Sequence, residues 1–163
     1  GSVIPLFVNQ IKNNKPITIT DPEMTRYLMT LNESVELVMH AFSKGSKGDI
    51  FVQKSPACTL LDLSTALKDI FDYKKSNLII GTRHGEKLYE TLISREEMFS
   101  VSNLEKHFVI SADTRDLNYE KYFTKGRKEI SKSDDYNSHN VEILKKEQVK
   151  EKLIKLDFVR EYL

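Results

Sequence analysis

The chain has 163 residues, 39% hydrophobic and 30% charged, and its 25 Lys and Arg against 24 Asp and Glu leave a formal net charge of +1. That length holds one ordinary domain with a buried core, and the even charge balance argues against a nucleic-acid binder, which carries a clear basic excess. No apolar run nears the roughly 20 residues of a membrane span, and the start lacks the charged and apolar zones of a signal peptide, so a cytoplasmic protein without a membrane span is expected.

Residues 3–13 place Ile4, Phe7, Val8 and Ile11 on one helical face, with Pro5 near the start, where its missing N–H costs nothing. Residues 15–20 alternate β-branched and polar side chains and predict a short strand ahead of the Asp21-Pro22 turn. Thr30 with Glu33 three residues on is a capping-box pattern, and Val35, Val38, Met39 and Phe42 follow at helical spacing up to Lys44-Gly45. Leu37 and Ala41 extend this apolar surface, so the helix calls for cover on two sides.

Residues 49–53 predict a strand, and Leu60, Leu63, Ala66, Leu67 and Ile70 then form one helical stripe. Residues 78–80 predict another strand, Gly81 to Glu90 a charged turn, and Ser94 with Glu97 a second capped helix. Residues 107–110 predict a strand. The polar stretch 111–140, with scattered Tyr and Phe and weak periodicity, reads as irregular with short helical turns, whereas 147–155 predicts an amphipathic C-terminal helix.

Cys58, the single cysteine, has no partner for a disulfide or a CxxC site, and His40, His84, His107 and His139 are too scattered for a compact metal-ligand spacing, so no metal is expected. The chain contains no G-x-S-x-G elbow, Walker loop or G-x-G-x-x-G, and Gly45 and Gly48 lack the third glycine of a dinucleotide fingerprint. No Tyr is followed four residues later by Lys, and the adjacent carboxylates Glu96-Glu97 and Asp134-Asp135 read as solvated surface. No catalytic residue and no cofactor site are therefore assigned to this chain.

Two segments place a cation among turn-forming residues: Thr20 to Tyr27, with Arg26, and Gly81 to Lys87, with Arg83 and Glu86. A guanidinium offers a rigid fork of five donors to phosphate oxygens, and a carboxylate three residues away accepts hydrogen bonds from sugar hydroxyls. Taken alone, each segment reads more readily as surface charge in a loop.

The segments GTRHGEKLYETL, TDPEMTRYLMT, GSVIPLF, RDLNYEKYF and DDYNSHN together resemble the C-terminal part of bacterial UDP-N-acetylglucosamine 4,6-dehydratases that invert C5. These are extended short-chain dehydrogenase/reductases of capsule and O-antigen polysaccharide synthesis. The resemblance spans nearly the whole chain and implies an α/β fold: over residues 1–163, the substrate-binding portion of such an enzyme, with a small mixed sheet, helices and no Rossmann core. It further implies that NADP or NAD binds the parent enzyme upstream of Gly1, together with the glycine fingerprint and the Tyr/Lys pair. Its partners would be a UDP-sugar, the chain's own missing Rossmann domain and further copies of itself, a homo-oligomer contacted through 111–140.

Carried over residue by residue, the resemblance implies that Arg26 and Arg83 contact the UDP phosphates and Glu86 holds the uridine ribose. Val3, Pro5 and Phe7 would line the uracil and sugar side. His84 stands where many flagellin-modifying relatives have Pro, which places the chain nearer the capsule and O-antigen branch. The helix from Asn32 to Ser43 and the strand from Asp49 to Gln53 are expected against the Rossmann sheet. Two alternatives stay open: 4-epimerisation of a UDP-sugar on the same scaffold, and a noncatalytic binding or assembly module.

Overall fold

A computed structural model describes residues 3–112 and 134–163. Helix α1, Val3–Lys12, buries Phe7, Val8 and Ile11, and Pro5 sits in its first turn as its missing donor requires. Strand β1, Thr18–Ile19, is followed by a turn in which the Asp21 carboxylate accepts the Glu23 N–H at 2.8 Å, and then by β2, Thr25–Tyr27. Helix α2, Leu31–Lys44, opens on the capping box read from the sequence: Glu33 N–H donates to Thr30 Oγ1 at 3.2 Å, and Thr30 N–H donates to the Glu33 carboxylate at 2.6 Å. Strands β3, Ile50–Gln53, and β4, Ala57–Thr59, lead into α3, Leu60–Ile70, capped by Thr59 Oγ1 accepting the Asp62 N–H at 3.0 Å.

Beyond α3 come β5, Leu78–Ile79, and β6, Thr91–Ile93. The short helix α4, Arg95–Met98, starts on a second capping box, Ser94 with Glu97. Strands β7, Ser102–Asn103, β8, His107–Ile110, and β9, Tyr136–Asn137, precede helices α5, Lys146–Ile154, and α6, Asp157–Arg160. The stretch 111–140 was expected to be irregular, but its described end contains β9, paired antiparallel with β6. Residues 113–133 of that stretch, including RDLNYEKYF, lie outside the described residues.

The chain divides into two compact units. The first gathers residues 1–28, 56–90 and 138–163. In it β1 pairs parallel with β5, and β2 pairs antiparallel with β4 so that Arg26 lies opposite Cys58. Its core joins Phe7 and Val8 of α1 to Leu63 and Leu67 of α3 and to Val149 and Leu153 of α5. Four of the five residues of the α3 stripe, Leu60, Leu63, Ala66 and Leu67, are buried, and Lys146 bridges to Asp69 at 2.7 Å across the α5–α3 contact. Parallel strands are normally buried on both faces, yet Leu78 and Ile79 of β5 are half exposed.

The second unit comprises residues 29–55 and 91–137. Its three-stranded sheet runs β3-β8-β7, all antiparallel, and Val52, Ile93 and Phe108 form its core. The His40 ring of α2 stacks on the His107 ring of β8 with centroids 4.8 Å apart. Burial foremost, and then the charges of His40, Lys106 and Lys54, hold the His107 pKa below its ordinary value. No residue of α2 is buried, and Leu31 and Phe42 are 78% and 84% exposed, so the helix whose sequence called for cover on two sides carries an open apolar face.

Leu63 is fully buried between α1 and the remaining core, so Leu63→Ala is expected to destabilise the chain by about 2–5 kcal/mol. Thr30→Ala, which removes one half of the first capping box, is expected to cost about 1 kcal/mol. Chemical denaturation of both variants beside the parent chain measures the difference, and equal losses would contradict this ranking of core over cap.

Candidate ligand-binding site

A cleft of about 480 Å³ opens in the first unit. Its apolar lining comes from α1, through Val3, Leu6 and Phe7, from Met24, from Leu60 at the start of α3 and from Ile80 after β5. Its polar lining comes from Arg26 and Tyr27 of β2 together with Arg83 and Glu86 of the turn that follows β5. Thr18 of β1 also faces the cleft, clamped to α1 by Gln10, whose Nε2 donates to Thr18 Oγ1 at 2.7 Å.

Five of the six residues singled out by the sequence, Val3, Phe7, Arg26, Arg83 and Glu86, thus line one cleft. Pro5 does not. It lies exposed on α1, because two residues of helix rotate a side chain by about 200° from the face shared by Val3 and Phe7. Leu6 takes the lining position instead, three residues from Val3 on the same face.

Arg26 is held firmly. Its Nη1 donates to the Thr25 carbonyl at 2.7 Å, and its Nη2 donates to the Lys87 carbonyl at 3.0 Å and to Met24 Sδ at 2.9 Å. Its Nε lies 3.5 Å from the Glu90 carboxylate. The Glu90 backbone is fixed in turn by Ser138, whose buried Oγ accepts the Glu90 N–H at 2.9 Å and sits 2.7 Å from Thr25 Oγ1. Thr25 N–H closes the network by donating to the Leu88 carbonyl at 2.9 Å. Buried polar groups joined in this way fix one arrangement of the backbone, because any break leaves a costly unpaired donor or acceptor.

Arg83 contrasts with Arg26. Among the described residues its guanidinium has no hydrogen-bond or ion-pair partner, and all five donors are available to a ligand. Its backbone is closed into a turn by Glu86: the Arg83 N–H donates to the Glu86 carboxylate at 3.0 Å, and the Glu86 N–H donates to the Arg83 carbonyl at 3.1 Å. Gly85 at φ 84° supplies the left-handed backbone this turn needs.

Several contributors escaped the sequence reading. Glu90 and Ser138 lie within the GTRHGEKLYETL and DDYNSHN segments, beside Tyr89 and His139. Those two rings meet each other, with centroids 4.9 Å apart. Ser138 reaches Thr25 across 113 positions, a pairing that no local pattern announces.

Two guanidinium groups and one carboxylate beside an apolar wall can hold a ligand that has an anionic part and a flat, weakly polar part. Among the described residues no group of three or more His, Cys, Asp or Glu side chains is placed to hold a metal ion, and no helix is long and apolar enough to cross a membrane.

The family model described as "Polysaccharide biosynthesis protein" matches residues 1–112, and "Polysaccharide biosynthesis protein C-terminal" matches residues 113–160. The chain belongs to the polysaccharide biosynthesis protein family. It is 56% identical over all 163 residues to the UDP-glucose 4-epimerases of Rickettsia massiliae (strain Mtu5) and Rickettsia conorii (strain ATCC VR-613 / Malish 7), and it covers 48% of each. The UDP-glucose 4-epimerase of Rickettsia akari (strain Hartford) is 53% identical over the same span. The X-ray structure of Pen from Bacillus thuringiensis superposes with a TM-score of 0.77 at 31% identity, over 96% of this chain and 45% of that one. The chain therefore spans about half the length of these relatives. Its mixed α/β architecture of small sheets and helices agrees with the fold expected from the sequence.

Cys58 lies opposite Arg26 in the β2–β4 ladder and is fully buried. Burial foremost, with the nearby Asp62 charge adding to it, pushes its thiol from the usual 9.0 up to about 12. Between those two values the unfolded chain loses a proton that the folded chain keeps, so stability falls as pH rises through this window, by about 1.4 kcal/mol per unit from this group. Denaturant titrations between pH 9 and 11 should show that extra decline in the parent chain and not in Cys58→Ala. Parallel pH profiles for the two would contradict it.

Proposed function

We propose that this chain is the UDP-sugar-binding part of a nucleotide-sugar 4-epimerase of polysaccharide synthesis. The observation that carries the reading is the convergence of Arg26, Glu86 and Arg83, whose guanidinium has no partner among the described residues, on one cleft that is also lined by apolar side chains. Support for the reaction comes from relatives named UDP-glucose 4-epimerase at 56% identity across the full chain. In this reading Arg83 takes the diphosphate in a charge-assisted fork, and Arg26 adds its charge and its remaining donor capacity. Glu86 accepts from the ribose hydroxyls, and Val3 and Phe7 pack against the uracil. Pro5 has no part, since it lies outside the cleft.

The chain's contribution to the reaction is positional. Anchoring the UDP handle, which does not react, makes the hexose step effectively intramolecular. The nicotinamide cofactor, NAD or NADP, supplies hydride transfer when bound, and no residue of this cleft is assigned to it. A second reading, the C5-inverting 4,6-dehydratase, is favoured by the GTRHGEKLYETL and TDPEMTRYLMT segments. Product analysis of the longer protein separates the two, because epimerisation retains the sugar 6-hydroxyl and dehydration removes it.

Calorimetric titration with UDP tests the binding role. Arg83→Ala is expected to weaken UDP by about ten- to a hundredfold, the loss of a charge-assisted hydrogen bond of about 1.5–3 kcal/mol. Equal affinity in the parent chain and the variant would remove Arg83 from the site.

A further inference from the structure

Among the described residues, the turn that carries Arg83 and Glu86 is tied by hydrogen bonds to the rest of the chain only at its ends. On one side the Ile80 N–H donates to the Ile19 carbonyl at 2.9 Å, completing the β1–β5 ladder. On the other, Arg26 grips the Lys87 carbonyl and Thr25 N–H donates to that of Leu88. Between these anchors the hydrogen bonds are internal to the turn: Arg83 N–H to the Glu86 carboxylate, and Glu86 N–H to the Arg83 carbonyl. Every residue from 81 to 87 is exposed, although Arg83 and Glu86 line the cleft. Gly81, where the turn leaves the strand, adopts φ 79°, and a Cβ there would meet nothing within 4 Å. Its glycine therefore answers to backbone rotation and not to crowding.

From this geometry we propose that residues 81–86 are a flap that swings as one unit about the line between Gly81 and the anchored Lys87, and closes over the diphosphate of a bound nucleotide. The inference rests on the UDP reading above. The two internal bonds keep Arg83 and Glu86 in register during the swing, so both reach the ligand together. Arg26 couples the movement to binding, since the same guanidinium that lines the cleft also holds the Lys87 carbonyl at the foot of the flap. A ligand that interacts with Arg83 only when the flap is closed shifts the population toward that state, and release then requires opening.

The test uses a nitroxide attached to His84→Cys in the full chain, with UDP as the probe. His84 is exposed at the tip of the turn, and the one native thiol, Cys58, is buried. Calorimetry first establishes whether UDP binds the labelled chain. Saturating UDP is expected to convert the label's spectrum from fast to slow motion, and to slow tryptic cleavage after Arg83 and Lys87 by about tenfold or more, since cleavage tracks the open population. Cleavage at the exposed Lys74 should not change. Bound UDP with an unchanged label spectrum would overturn the flap and leave the binding reading standing, even if cleavage slowed, because a static ligand can shield a static turn. Absence of UDP binding would overturn both.

Discussion

The guanidinium of Arg26 is the point on which the cleft depends. It joins the three-residue strand β2 to the turn after β5 through the carbonyls of Thr25 and Lys87, and it faces the Glu90 carboxylate. Strands this short have too few ladder bonds to hold a position by themselves. What fixes β2 is the pairing with β4 on one side and this side-chain network on the other, with Ser138 as its buried centre. The same guanidinium that lines the cleft thereby also maintains the geometry of the segments around it.

The two arginines divide the work that such a site requires. Arg26 is largely satisfied by protein groups and is therefore ordered before any ligand arrives, whereas the Arg83 side chain, on an exposed turn, has no partner among the described residues. Preorganisation lowers the entropy lost on binding, and a donor without a protein partner keeps its full hydrogen-bonding capacity for a ligand. The apolar wall of α1 is rigid for a different reason, because Phe7 is locked into the core with Leu63 and Leu67.

Local chemistry made part of this legible in the sequence. The capping boxes at Thr30 and Ser94 and the α3 stripe depend on residues three or four positions apart, and the structure reproduces each of them. The β2, β4, β6, β7 and β9 strands were missed, since two or three residues carry no period and their pairing comes from distant segments. In the site, the motif residues Arg26, Arg83 and Glu86 line the cleft, and of the opening segment Val3, Leu6 and Phe7 line it while Pro5 does not. Glu90 and Ser138 were invisible because their roles arise only when residues 25, 90 and 138 meet.

The most direct measurement is a crystal structure of the chain with UDP-glucose. The account predicts the diphosphate within hydrogen-bond distance of the Arg83 guanidinium, with the uracil against Val3 and Phe7. A nucleotide seated elsewhere, with Arg83 still facing solvent, would contradict it.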